Sequence, residues 1–146
     1  MTSESNRQVV ERFLKGLVAR DFDVQAEVCA GDLVVEFPQS GERIRGWANF
    51  RAAGENYPGG LPQDLTGKVI GSEDKWVVTP SFTVMRIEGT GDVYFFSGSA
   101  SYPDGQTWQI MSLIELRAGK IAKMTDLYGP PFDPPASRAQ WVERMA

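Results

Sequence analysis

The chain has 146 residues, 42% of them hydrophobic, and 15 basic against 19 acidic side chains give a net charge of -4. This length and balance are ordinary for one globular domain, 1–146, and the lack of any long Lys/Arg run argues against nucleic acid as a partner. No apolar stretch is long enough to cross a bilayer, and residues 1–12 lack the apolar segment of a signal peptide, so we expect no membrane partner and a cytoplasmic location.

Two residue counts limit the chemistry. The sequence contains no histidine, so proton transfer near neutral pH must use carboxylates, tyrosine or lysine. Cys29 is the only cysteine, which excludes an internal disulfide. We expect its thiol to be a small buried hydrophobe rather than a nucleophile, because a nucleophilic thiol needs a base or a positive neighbour. Neither a metal nor a cofactor is expected.

Helical patterns occupy the first part of the chain. Ser5 and Gln8 have the spacing of a capping box, and the apolar stripe that follows predicts a helix ending near Arg20. Asp23 is the expected cap of a shorter helix that contains Cys29 and stops at Gly31. A third helix is predicted from 47 to 57, because Pro58-Gly59-Gly60 cannot continue it.

The remaining segments are mostly β in character. Strands are predicted at 33–37, 43–45, 65–70, 75–87, 93–102, 106–116 and 120–128. Short turns join the last four, which predicts antiparallel neighbours. Helices followed by a curled antiparallel sheet indicate an α+β fold in which three N-terminal helices cover one face of the sheet.

A Pro-rich C-terminal arm, 129–146, follows the last strand. Its stiff connector at 129–135 leads to a predicted helix over 136–145. The arm could cover a pocket or grip a second subunit, and the alternative is a frayed tail. Phe132 and Trp141 favour docking, because so short a segment carries two large aromatic side chains.

Three segments carry a family resemblance: 10–17 together with 21–23, then 32–38, and finally 118–129. In this order and spacing they resemble the nuclear transport factor 2-like (SnoaL-like) superfamily over nearly the whole chain. The resemblance implies a cone-shaped barrel, made by a strongly curved antiparallel or mixed sheet around an apolar pocket, and a homodimer paired through the sheet. The superfamily includes both enzymes and non-enzymatic transport and scaffold proteins, so the fold alone does not fix the function.

The catalytic residues of the better-known members transfer poorly. Phe13, Phe37 and either Met111 or Ser112 stand at the positions of the tyrosine, the carboxylate base and the neutral aspartic acid of ketosteroid isomerase. Phenylalanine can neither remove a proton nor donate a hydrogen bond, so the usual isomerase mechanism is not expected. Polyketide cyclases and scytalone dehydratase use histidine in catalysis. This chain has no histidine, so their usual mechanisms are not expected.

The comparison with limonene epoxide hydrolase is partly better. Its last-strand aspartate corresponds to Asp126. Its arginine and second aspartate fall near Ser97 and Ser99. Val35 and Phe37 stand near the tyrosine and asparagine that hold its water. Of these five positions, only Asp126 carries the matching residue.

Asp126 is therefore the candidate catalytic acid or base. It shares one strand face with Met124 and Tyr128, and an apolar pocket would raise the pKa of its carboxyl toward the useful range. The alternative is an aspartate bonded to backbone amides or to Tyr128. The residues expected to bind a ligand are Phe13, Phe37, Tyr94, Ser97, Ser99, Trp108, Ser112 and Tyr128.

Two functions stay open from the sequence. The first is a pocket that binds a small apolar, oxygenated metabolite and transforms it by carboxylate acid/base chemistry, as an isomerase, dehydratase, cyclase or epoxide-hydrolase-like enzyme. The second is a non-catalytic dimeric module for ligand binding or scaffolding.

Overall fold

The computed structural model describes residues 4–56, 81–101 and 106–145. Its helices are α1 (Asn6–Ala19), α2 (Phe22–Val28) and α3 (Trp47–Glu55). Its strands are β1 (Cys29–Phe37), β2 (Glu42–Arg45), β3 (Ser81–Thr90), β4 (Val93–Ser101), β5 (Thr107–Arg117) and β6 (Lys120–Gly129). The predicted strand at 65–70 and the start of the one at 75–87 lie outside the described residues. No helix in the described ranges is long and apolar enough to span a membrane.

Helix α1 begins as its sequence pattern predicts. The Ser5 hydroxyl accepts a hydrogen bond from the backbone N–H of Gln8 at 3.2 Å, and the Gln8 side-chain oxygen accepts one from the Ser5 N–H at 2.9 Å. This capping box satisfies two N–H groups that the helix leaves unpaired. Arg20, with a φ of 56°, ends the helix in the left-handed conformation. The predicted first helix is confirmed.

The boundary between α2 and β1 differs from the prediction. Asp21, not Asp23, caps α2, because its carboxylate accepts a hydrogen bond from the Val24 N–H at 3.1 Å. The chain turns extended at Cys29, four residues before the predicted strand. Cys29 is buried and pairs with Ile121 across the sheet, and this contact outweighs the local helical pattern. Gly31 therefore lies inside a strand and stops no helix.

The six strands form one mixed sheet in the order β2-β1-β6-β5-β4-β3. The β1–β6 pairing is parallel, and the other pairings are antiparallel, as the short turns predict. The edge strands β2 and β3 do not pair within the described residues, and the sheet is neither closed nor strongly curled. Closure needs hydrogen bonds between the edge strands. The expected cone-shaped barrel is therefore corrected to an open α+β sheet.

One face of the sheet, here called the inner face, forms the core with the helices. Helix α1 packs against β3 and β6, and α3 packs against β1 and β2. On β4, β5 and β6 the buried inner-face residues include Tyr94, Phe96, Ala100, Trp108, Ile110, Ser112, Ile114, Leu116, Ile121, Met124 and Tyr128. The opposite face, the outer face, carries Met111, Leu113 and Leu127.

The phase of β5 is settled by its regular alternation, in which Trp108, Ile110, Ser112 and Ile114 are buried and the residues between them are exposed. Ser112 is 1% exposed on the inner face, whereas Met111 is 51% exposed on the outer face. Between β5 and β6, Leu116 pairs with Ile121 but Glu115 pairs with Lys123, so β6 carries one extra residue. This bulge shifts the alternation of β6 by one position and sets Asp126 opposite Ser112. The alternation of β5 itself decides the choice between Met111 and Ser112 in favour of Ser112.

The C-terminal arm does not form the predicted helix over 136–145. A single 3-10 turn, Ala136–Arg138, is present. Phe132 and Trp141 are 78% and 75% exposed, so neither covers the inner face of its own chain. So short a helix is marginal in water without a surface to pack on, which explains the difference.

Candidate functional site

The centre of the inner face carries one polar pair. Asp126 on β6 lies directly opposite Ser112 on β5. The Ser112 hydroxyl donates a hydrogen bond of 2.6 Å to Oδ1 of Asp126. The antiparallel register brings the two side chains together across neighbouring strands. The partner of the carboxyl is thus a serine hydroxyl, which the sequence comparison did not anticipate.

Apolar side chains surround this pair. Phe96 on β4 is the neighbour of Ser112, and Met124 and Tyr128 flank Asp126 along β6. In the parallel ladder Val35 pairs with Met124, which brings Phe37, two residues further along β1, level with Asp126. Asp126 and Ser112 therefore form an isolated polar pair on an otherwise hydrophobic face of the sheet.

This environment changes the acidity of the carboxyl. Although part of the residue reaches the surface, the Asp126 carboxyl is enclosed by protein atoms, and desolvation raises its pKa from 3.8 to about 6, against the lowering effect of the Ser112 hydrogen bond. No cation among the described residues forms an ion pair with it. Near neutral pH the group exists in both protonated and ionised forms, which suits acid/base chemistry.

Tyr128 is held in place from two sides. Its ring lies against that of Phe37, with the centroids 6.5 Å apart. Its backbone N–H donates to the side-chain oxygen of Gln39, and its carbonyl accepts from the Gln39 amide nitrogen, both at 2.6 Å. The Gln39 amide thereby continues the β1–β6 ladder after Pro38, which has no N–H to donate. Gln39 was not among the residues predicted from the sequence. Its position directly after Pro38, which ends the strand, is the feature that could have indicated this role.

The other aromatic candidates lie in the core. Phe13 from α1 and Tyr94 and Trp108 from the sheet are at most 5% exposed. The indole nitrogen of Trp108 donates to the side-chain oxygen of Gln106 at 3.1 Å. These residues can form the apolar wall of a site on the inner face, and their role as ligand contacts stays a prediction.

Ser97 and Ser99 are not brought to this site. They point to the outer face of β4, where they pair with Met111 and Gln109. Phe96, Gly98 and Ala100 hold the inward positions instead. Alternation along the strand makes the two sets mutually exclusive. The structure therefore does not bring Ser97 and Ser99 together with Asp126, and their role as ligand contacts stays a prediction.

Two further features lie away from the polar pair. A surface depression of about 310 Å³ at the β1–β2 hairpin is lined by Glu36, Phe37, Pro38, Gly41, Glu42 and Arg43. Burial raises the pKa of the Cys29 thiol to about 12, so it stays neutral and unreactive. The described ranges contain no cluster of three or more cysteine or carboxylate side chains able to hold a metal ion.

Comparison with known proteins places the chain in a family. Residues 10–124 match the model of the SnoaL-like domain. The chain belongs to the SnoaL-like family. None of the curated proteins with which its sequence was compared matches it.

Solved structures share the fold of this SnoaL-like chain over almost its full length. An NTF-2 like protein of unknown function from Burkholderia xenovorans LB400 is 30% identical, with a TM-score of 0.72 over 97% of this chain and 95% of that one. A putative ketosteroid isomerase from Kribbella flavida DSM 17836 is 23% identical, with a TM-score of 0.77 over 97% and 90%. TerC, co-crystallised with polyporic acid, is 17% identical, with a TM-score of 0.59 over 84% and 90%.

The three positions that correspond to the catalytic residues of ketosteroid isomerase can now be located in the structure. In this SnoaL-like chain, Phe13 and Phe37 are buried, and Ser112 takes the inner position on β5. None of the three is a carboxylate. The inner sheet face carries a carboxyl at Asp126, on the next strand, so chemistry at this site would start from a different residue.

Proposed function

We propose that this SnoaL-like protein binds a small apolar, oxygenated metabolite against the inner face of its sheet, with Asp126 as acid/base group or polar anchor. The observation that carries the proposal is a carboxyl with a pKa of about 6, enclosed by apolar side chains and bonded to Ser112. Ionisable groups in such surroundings cost stability and are concentrated at functional sites.

The hydrogen bond leaves part of the carboxyl free. Ser112 engages Oδ1, and no described residue bonds Oδ2. In its protonated form Asp126 can donate a hydrogen bond to a carbonyl or epoxide oxygen of the ligand. In its ionised form it can accept a proton from a carbon next to a carbonyl group.

The chemistry this site favours is proton transfer by one group. Since the chain has no histidine, we expect the same carboxyl to take a proton and return it. Isomerisation and elimination next to a carbonyl group meet this condition most simply. Epoxide hydrolysis would also need a second group to hold the water. Of the inward residues of β4, Phe96 and Ala100 cannot do that, which leaves the Tyr94 hydroxyl.

A ligand panel with matched variants tests the proposal. Cyclic enones, hydroxyketones, epoxides and polyporic acid, the compound co-crystallised with TerC, are screened by thermal shift and by turnover. For a compound that is turned over, we expect Asp126→Asn to lower kcat/KM by about 100-fold or more, the usual contribution of acid/base catalysis. For one that only binds, we expect an affinity loss of about tenfold, a lost hydrogen bond.

The controls separate chemistry from folding. Asp32→Asn removes an exposed carboxylate that pairs with Arg117 and should leave both readouts unchanged. Ser112→Ala should move the acidic limb of the pH profile above pH 6, because it removes the hydrogen bond that lowers the pKa of Asp126. Equal binding and turnover by wild type and Asp126→Asn would contradict the proposal.

A second candidate is a non-catalytic dimeric binding or scaffold module, and the outer face favours it. Met111, Leu113 and Leu127 are 51%, 40% and 45% exposed there. Met111 lies opposite Leu127, and Leu113 lies opposite Phe95, so these four residues form one apolar outer strip. We propose that two copies pair through this strip. Dimerisation without any response of ligand binding to Asp126→Asn would favour this candidate over the first.

A further inference from the structure

The C-terminal arm, here residues 130–145, carries a second apolar surface. Phe132, Trp141, Val142 and Met145 are between 47% and 97% exposed. Leaving this much apolar area in water forgoes about 25 cal/mol per Å². Aromatic residues gathered in one exposed segment are typical of a contact with another molecule.

The connector keeps the arm extended. Pro130, Pro131, Pro134 and Pro135 restrict 130–135 to an extended path. At about 3.1 Å per residue these six positions span roughly 19 Å, which is about four strand spacings. The arm leaves the sheet at Gly129, which pairs with Gln109 at the end of β5. It can therefore reach across a molecule placed against the outer face.

The outer strip is the matching surface on the same chain. Its centre is uncharged, and its neighbours on that face include Ser97, Ser99 and Thr125. Its side chains remain 40–51% exposed at Met111, Leu113 and Leu127, so the chain's own arm does not cover them. The arm and the strip are thus two uncovered apolar surfaces, and the arm begins three residues after Leu127.

A two-fold symmetric dimer would bury both apolar surfaces, the arm and the outer strip, at the same time. In such a pair, each arm lies on the other copy's strip and the same contact occurs twice. The arm and the strip together approach the roughly 20–30 residues that each partner contributes to a stable interface. A foreign partner would bury one surface and leave the other exposed.

We propose that the C-terminal arm docks on the outer strip of a second copy of this chain, with Phe132 and Trp141 as anchors. This inference rests on the dimer proposed above and is independent of the chemistry of Asp126. Trp and other aromatic anchors commonly dominate binding at interface centres.

The first test measures self-association of the full chain by sedimentation equilibrium. The double variant Phe132→Ala, Trp141→Ala should dimerise at least about 30-fold more weakly than wild type, the loss of one strong anchor. Both side chains are exposed, so the fold should be unaffected. Val18→Ala is the matched control, because Val18 is a half-exposed apolar residue on α1, outside the arm and the strip.

The second test locates the arm. Ser97→Cys, next to Met111 on the outer face, and Ala139→Cys, in the arm, are prepared separately, mixed, and treated with a short bis-maleimide. Buried Cys29 should not react. We expect a covalent dimer containing one chain of each kind, a product that only contact between two molecules can give.

The outcomes separate the two proposals. A monomeric wild type would overturn both the dimer and the arm contact. A wild-type dimer whose dissociation constant is unchanged in the double variant, or the absence of the mixed product, would overturn the arm contact alone. A change in ligand affinity of the double variant without a change in dimerisation would mean that the arm covers its own chain's site, which also contradicts the proposal.

Discussion

Asp126 makes the stability of this protein depend on pH in an unusual direction. The folded state raises the pKa of this carboxyl from 3.8 to about 6, so between these values the folded state binds more protons than the unfolded state. Stability is therefore lost as the pH rises through this window. At about 1.4 kcal/mol per pKa unit, the loss is on the order of 2–3 kcal/mol at neutral pH.

Asp126→Asn should remove this cost. Asparagine is close in shape to the protonated acid and can still accept the Ser112 hydrogen bond. We expect the variant to be more stable than wild type by about 2 kcal/mol at pH 7.5 and about equal to it near pH 4. Urea unfolding at several pH values measures this difference.

Asp32→Asn is again the control, and its effect on the free energy of unfolding should have the opposite sign. Hydrogen bonding to Arg117 lowers the pKa of Asp32, so its ionised form stabilises the fold and its removal should weaken it above pH 4. A constant difference between Asp126→Asn and wild type at all pH values would refute the assigned pKa. A gain in stability combined with a loss of function would mark Asp126 as a residue kept for its activity.

At the scale of elements, the β1–β6 pairing depends on a side chain. These strands are joined in parallel although they are far apart in sequence, and Gln39 extends their ladder past Pro38 with two hydrogen bonds to the Tyr128 backbone. The site depends on this pairing, because it sets Phe37 beside Asp126 and Tyr128.

Gln39→Ala should loosen this end of the sheet. Removing both hydrogen bonds is expected to cost about 1–3 kcal/mol in the free energy of unfolding, because the Tyr128 backbone is part-buried. Amide hydrogen exchange at Tyr128 should speed up more than exchange at Ile114, in the middle of β5. Gln109→Ala, on the exposed face of β5, is the matched control. Uniform acceleration of both amides would instead indicate global destabilisation.

The helices show which structural features can be predicted from neighbouring residues in the sequence. Helix α1 was predicted with its capping box, because the groups that form it lie three residues apart. The end of α2 was not predicted correctly, because Cys29 leaves the helical conformation to pair with Ile121, far along the chain. The C-terminal helix was wrong for a related reason, since a short amphipathic segment needs a surface to pack on.

At the scale of the whole molecule, the outer face should decide the oligomeric state. Leu113→Lys places a charge in the centre of the outer strip, where burying it against a second copy would be costly. We expect the variant to be a folded monomer at concentrations where wild type is dimeric, as light scattering after size exclusion would show. Thr107→Lys, on the same face at the end of β5, should remain dimeric. A dimeric Leu113→Lys would argue against pairing through this strip.

The sequence by itself determined the α+β class and most helices and strands, because turns, caps and alternation depend on residues close together in the chain. Its resemblance to the SnoaL-like superfamily indicated the family and the candidate Asp126. Tertiary structure decided the open sheet, the inward position of Ser112 and the outward position of Ser97 and Ser99. Those features depend on strand pairing between distant segments, and a bulge in β6 sets Asp126 opposite Ser112. The acidity of Asp126 belongs with them, since desolvation is a property of everything that surrounds a group.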